Sequence, residues 1–177
     1  MITISLCLIV KNEEGTLWNC LNSVKDIVDQ IVIVDTGSTD RSIEIAREFT
    51  DEIHHFEWTG DFAAARNHSF SFAKCDYILW LDADDVLLEE DREKLKKLKE
   101  TLDPSVDSVS MIYNYGFDEY GNVTLSFRRN RLVKRSRQFK WYGDCHVYLK
   151  VDGIILNSDI AVSHKRLRHS AGRNLAI

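Results

Sequence analysis

A chain of 177 residues with 44% hydrophobic content and one proline carries enough apolar material for a single buried core. Its net charge of −5 and pI near 5.7 exclude a dedicated nucleic-acid binder, whose contact face carries a positive field. No apolar run approaches the roughly 20 residues needed to cross a bilayer, and the N-terminus lacks the basic leader and cleavage site of a signal peptide. A soluble, cytoplasmic protein is expected, with room for peripheral membrane contact. Cys7, Cys20, Cys75 and Cys145 form no C-x-x-C pair, which excludes a zinc knuckle or redox motif and fits reduced, partly buried thiols.

In chain order, strand and helix signals take turns. Residues Ile2 to Val10 alternate as a first strand does, and Leu17, Leu21 and Val24 then repeat at helical spacing. Gln30 to Val34 is a β-branched run ending in the turn Asp35 to Asp40, followed by Ile43, Ala46 and Phe49 on one helical face. Glu52 to Trp58 is predicted as a third strand, Asp61 to Ala73 as a third helix and Asp76 to Leu81 as a fourth strand. A charged amphipathic helix from Glu89 to Leu102 stops at Asp103-Pro104. This order predicts an α/β fold with a mixed, mainly parallel sheet flanked by helices. From Ser105 to His164 the texture is strand-rich and no linker intervenes, so mixed or antiparallel strands should extend the same sheet within one domain, residues 1–177.

The most informative feature is Asp82-Ala83-Asp84-Asp85, directly after the apolar run Tyr77 to Leu81. That run reads as a strand buried on both faces. Carboxylates clustered at a core edge repel one another and lose solvation, which is costly unless a cation shares the site. Oxygen-ligated Mg²⁺ or Mn²⁺ suits such a corner and keeps positions for water and phosphate. The bland alternative is a solvated turn at the acidic start of the next helix. Charge is also uneven along the chain: acids crowd residues 82–93, whereas Arg128, Arg129, Arg131, Lys134, Arg135, Arg137 and Lys140 follow one another with no acid among them. A ligand both metal-bound and anionic would suit that asymmetry, and a solvated strand pair would explain the basic run without one. In an open α/β sheet the ligand crevice lies beyond the carboxyl ends of the strands, so Asn12-Glu13, Asp35 to Asp40 and Asp82 to Asp85 should converge on one side.

Four blocks in order carry a resemblance: Ser5 to Glu14, Ile33 to Asp40, Trp58 to Asn67 and Leu81 to Asp85. Together they closely resemble successive blocks of family 2 glycosyltransferases, which have the glycosyltransferase-A fold and a DxD metal motif. The nearest likeness is to a bacterial subgroup that includes peptide-modifying enzymes and whose catalytic domain often precedes helical repeats. A weaker likeness runs through Trp141 to His146, Val162-Ser163-His164 and Arg173-Asn174-Leu175. Relatives often continue beyond this point into a helix, so a shortened form or fragment is an expectation.

The resemblance implies a metal-dependent, inverting transfer of a sugar from a nucleotide diphosphate sugar, a UDP-sugar being favoured, to an unidentified saccharide, lipid or peptide acceptor. Residues 1–103 would form the nucleotide-binding half and 104–177 the acceptor side. It implies Asp84 and His164 as metal ligands, for Mn²⁺ or Mg²⁺, with Asp82 toward the donor ribose or the metal shell and Asp85 in support. Val10, Asn12, Glu13, Asp35, Thr36, Gly37, Asp61, Arg66, Asn67, Asp82 and Ala83 would make up the donor site. Thr36 stands where many relatives carry a second Asp, which leaves the donor base open. The plainer readings are a capping turn for Asp35 to Asp40, an ion pair with a nearby acid for Arg66, and a structural His164. Trp58 and Trp141 are the better candidates for lining a pocket, burial being the plainer outcome, and Phe62, Phe70 and Phe72 are expected as core or helix-packing residues and not as a sugar platform. His146 resembles the histidine of a W-x-G-x-x-H-E pattern whose Glu position is Val147 here, leaving Asp144 and His146 as candidates for the catalytic base. Two alternatives stand beside this: a nucleotide-sugar binding module without turnover, and a haloacid-dehalogenase-like phosphatase using Asp82 as nucleophile.

Overall fold

The computed structural model describes residues 1–165; the resembling segment Arg173-Asn174-Leu175 lies outside them. Strand β1 (Ile4–Val10) is flanked in parallel by β2 (Gln30–Asp35) and β4 (Tyr77–Trp80), and β2 by β3 (Ile53–His55). Helices α1 (Leu17–Val24), α2 (Ser42–Arg47) and α3 (Phe62–Phe70) make the crossovers. The alternation expected of β1 does not translate into one dry and one wet face. Ile4, Leu6 and Leu8 are buried on one side and Ser5 and Cys7 on the other, because a central parallel strand is covered on both faces. Strand β3 and helix α3 are shorter than predicted. Past His55 only Phe56 keeps a bond to β2, through the Asp35 carbonyl, and Ser69 and Ser71 turn their hydroxyls back onto the Arg66 and His68 carbonyls at the end of α3.

After β4 come β5 (Asp85–Val86), helix α4 (Glu89–Thr101), the long hairpin of β6 (Ser108–Phe117) and β7 (Val123–Lys134), and β10 (Ile155–His164). The short strands β8 (Lys140–Tyr142) and β9 (Tyr148–Lys150) pair with each other alone. The main sheet runs β3-β2-β1-β4-β7-β6-β10-β5, so the second half extends the first without a break, as expected. Strand β7 is antiparallel to both β4 and β6, whereas β10 is parallel to β6 and antiparallel to β5. Two residues of β5 suffice to set His164 directly opposite Asp85.

Helix α4 is fastened across the sheet's end. Arg92 forks onto Asp26 at 2.7 and 2.9 Å, Lys99 reaches Asp29 at 2.9 Å, and Asp91 accepts the Ala161 N–H at 2.8 Å where β10 breaks register. Among the described residues no helix is long and apolar enough to cross a membrane.

Candidate functional site

The acidic corner is built by β4, β5, β7 and the end of β10. Its three carboxylates meet different surroundings. Asp85 is fully buried: Oδ2 accepts the Asp82 backbone N–H at 2.8 Å and Arg131 Nη1 at 3.1 Å, and Oδ1 accepts the Tyr113 hydroxyl at 2.6 Å. Arg131 is itself wholly buried, its guanidinium lying 4.0 Å from the Trp80 ring centre and 4.4 Å from that of Tyr113. The rings take up donor surface of Nε and Nη2, which have no hydrogen-bond partner among the described residues. Burial, then the charge of Asp85, pushes the Tyr113 hydroxyl above the usual phenol range, so it stays protonated and donating.

Asp82 lies nearer the surface and pairs with Arg66 at 2.7 Å. Burial works to raise its carboxyl, but the cations of Arg66 and Arg131 outweigh that and hold it below the usual carboxylate range. Arg66 is held between aromatic rings, 5.1 Å from Trp80 and 4.8 Å from Trp141. Asp84 turns toward His164, whose Nδ1 lies 3.5 Å from Asp84 Oδ1 and 3.8 Å from Asp85 Oδ1. Asp84, Asp85 and His164 each bring one ligand atom within 4.8 Å of the others. Two carboxylates and an imidazole form a donor set that fits Mn²⁺ or Mg²⁺.

This corner floors a cleft of about 1320 Å³. Val10, Glu13, Thr36, Arg66, Asp82, Ala83, Asp84, His146 and His164 all line it, so residues from both halves converge there. Trp58 and the largely buried Trp141 both line it; Phe62 does too, half-exposed and edge-on to Trp58, so it is not a core residue.

Other residues expected at the site serve as fasteners and do not line the cleft. Asn12, in the left-handed conformation at φ 51°, accepts the Thr39 N–H at 2.7 Å and clips the loop after β1 to the loop after β2. Asp61 caps α3 by accepting the Ala64 N–H at 3.0 Å. Asn67 pairs with the backbone of Trp141 through both ends of its amide, at 2.8 and 3.1 Å, and so holds β8 against α3. Asp35 Oδ2 accepts the N–H groups of Gly37 and Ser38, at 3.0 Å each, closing a tight turn that Gly37 completes at φ 120°. Its Oδ1 is buried and has no hydrogen-bond partner among the described residues, and the residue borders a separate pocket of about 290 Å³ with His54, His55 and Arg47. Asp144 is exposed outside the cleft lining.

Of the basic run, Arg128 and Arg129 line the cleft, Arg131 lies beneath it, and Arg135 and Arg137 bond to Cys75 O and to Asp107 at the far end of β7. Tyr113 is absent from the site expected from the sequence, and Arg131 enters it only as one cation of the basic run. The signal for Tyr113 was present, because it continues the buried phase of Val109 and Met111 along β6. Arg131 abuts the apolar pair Leu132-Val133, a weak hint inside a run of cations.

Comparison with known proteins gives a consistent answer. The profile described as glycosyl transferase family 2 matches residues 5–159. The SPbeta prophage-derived glycosyltransferase SunS of Bacillus subtilis is 34% identical over 147 residues, covering 81% of this chain and 34% of its own length. A TPR repeat-containing protein of Synechococcus elongatus is 48% identical over 90 residues, 51% of this chain and 22% of that protein. The chain therefore spans about a third or less of these relatives. Among solved structures, residues 1–349 of TarS from S. aureus superpose with a TM-score of 0.54 at 20% identity, over 70% of this chain and 38% of that one. Glucosyl-3-phosphoglycerate synthase from Mycobacterium tuberculosis, crystallised with Mn²⁺ and UDP-glucose, gives 0.52 at 21% identity, over 63% and 44%.

Proposed function

The chain belongs to glycosyl transferase family 2, and on that premise we propose that it transfers a sugar from a nucleotide diphosphate sugar to an acceptor with the aid of a divalent cation. One observation carries the reading: Asp84 and His164, 80 positions apart, are brought within 3.5 Å of each other on the floor of the large cleft by the pairing of β5 with β10. A UDP-sugar is favoured because TarS was also crystallised with UDP and the synthase with UDP-glucose. Mn²⁺ and Mg²⁺ both fit, as both appear with the synthase.

In this reading Asp84 and His164 hold the cation, which supplies positive charge against the departing diphosphate. Arg66 exchanges Asp82 for phosphate oxygens when donor arrives, and Asp82 turns to the ribose. Val10, Thr36 and Ala83 shape the wall beneath the nucleoside. His146, at the cleft wall, takes the acceptor proton as its oxygen or sulfur attacks the anomeric carbon from the face opposite the leaving group. The two halves, 1–103 for donor and 104–177 for acceptor, act as one domain because one sheet runs through both. A cytoplasmic location belongs to the same reading, in keeping with four cysteines that are all free. Family membership sets aside the phosphatase alternative with Asp82 as nucleophile.

A second reading, donor binding without turnover, is favoured by Val147 where the resembled pattern has Glu and by Asp144 lying away from the cleft. Titrating a panel of nucleotide sugars with and without Mn²⁺ and assaying transfer and donor hydrolysis separates the two. Metal-dependent binding with release of free nucleotide diphosphate supports the enzyme, binding alone supports the module, and absence of metal-dependent binding rejects both.

A further inference from the structure

We propose that Arg128, Asn130 and Asn157 form a subsite for an anionic group, a phosphate or a carboxylate, carried by the molecule that receives the sugar. The assignment to that molecule rests on the donor-site reading above. All three residues line the cleft on strands of the second half, and they form one cluster. Ser110 stands directly opposite Asn130 on β7 and Asn157 on β10, so the three make a row across the sheet. Arg128, two positions before Asn130 on the same strand, reaches onto that row. Its Nη1 donates to Ser110 Oγ at 3.1 Å and to the Ser158 carbonyl at 2.8 Å.

The bonds inside the cluster engage its oxygens and leave its N–H groups. A guanidinium can only donate, so Ser110 Oγ accepts from Arg128 and turns its own proton to Asn157 Oδ1, 2.6 Å away. Asn130 Oδ1 accepts from Ser108 Oγ at 3.0 Å. Arg128 Nε and Nη2 and the amide nitrogens of Asn130 and Asn157 have no hydrogen-bond partner among the described residues. Charge points the same way. Arg66, Arg92, Arg131 and Arg137 each pair with a carboxylate, whereas neither Arg128 nor its neighbour Arg129, also in the cleft lining, forms an ion pair among the described residues. A neutral hydroxyl brings a proton that needs an oxygen to receive it. An oxyanion brings lone pairs and negative charge alone, which is what a guanidinium fork and two amide NH₂ groups satisfy. The donor's diphosphate already has Arg66 and the acidic corner with its cation, which leaves this cluster to the other substrate.

The test titrates inorganic phosphate, acetate and neutral glycerol into the ¹⁵N-labelled 177-residue chain without divalent metal. It follows the side-chain NH₂ signals of Asn130 and Asn157, assigned through Asn130→Ala and Asn157→Ala. Phosphate or acetate is expected to shift both signals saturably and glycerol to leave them in place; the tighter of the two anions identifies the charged group. Arg128→Met should weaken anion binding about tenfold or more, while UDP with Mn²⁺ binds it as tightly as wild type. Signals that neither anion moves, or that glycerol moves as far, overturn the proposal. So does an Arg128→Met protein that loses UDP affinity in step with anion affinity, since the arginine then serves the donor. The wild-type titration alone decides if the variant does not fold. Should wild type fail to bind UDP with Mn²⁺, the donor reading fails, while the anion subsite stands or falls by its own signals.

Discussion

Asp82, Asp84 and Asp85 are neighbours in sequence, yet one is paired at the rim, one faces an imidazole and one is sealed in the interior. Asp84→Ala should therefore abolish metal-assisted turnover, a loss of about 100-fold or more in kcat/KM, while leaving the melting temperature close to wild type; an Mn²⁺-dependent transfer assay beside a thermal melt checks both. Arg131→Met should behave in the opposite way at first. It strands a buried carboxylate at a cost of about 3–5 kcal/mol, so the melt should fall steeply, and adding Asp85→Asn should recover part of the loss. For the base, His146→Ala should slow transfer more than Asp144→Asn, since only the histidine lines the cleft; equal rates in both variants and wild type would reject the pair. At this scale the sequence exposed the acids, because three carboxylates after an apolar run are hard to explain otherwise. It hid Arg131, since a buried guanidinium needs flanking rings and a counter-ion that only the folded sheet supplies.

Among the elements, α4 shows how a charged helix is held without a large apolar face. Arg92 lowers the Asp26 carboxyl to about 2 by hydrogen bonding, against the opposing effect of burial. A depressed carboxylate pKa contributes stability that is present above the unfolded value near 3.8 and fades as pH falls through about 2. Thermal melts of wild type and Asp26→Asn should differ by a constant margin above about pH 5 and converge between pH 4 and 2; because Asp26 is partly exposed, added salt should narrow the margin. The helices and parallel strands were legible from periodicity. The two-residue β5 was not, as no hydrophobic pattern marks so short a strand, and with it went the reason His164 meets Asp85. Asn12, Asp61 and Asn67 sit beside the site in sequence, but short polar side chains at strand and helix ends are drawn to backbone N–H and C=O groups.

Across the whole molecule, one sheet carries a parallel half and a mixed extension, and the cleft opens where their strand ends meet. The parallel half followed from the order of elements. The place of β10 between β6 and β5 did not, because strand order in a mixed sheet depends on pairings far apart in the chain. The most direct measurement is calorimetric titration of UDP into wild type and Asp84→Ala, each with and without Mn²⁺. Wild type should bind UDP tightly only when Mn²⁺ is present, and Asp84→Ala should lose that metal-dependent gain. Equal UDP affinity in all four titrations would contradict a cation held between the corner and the diphosphate.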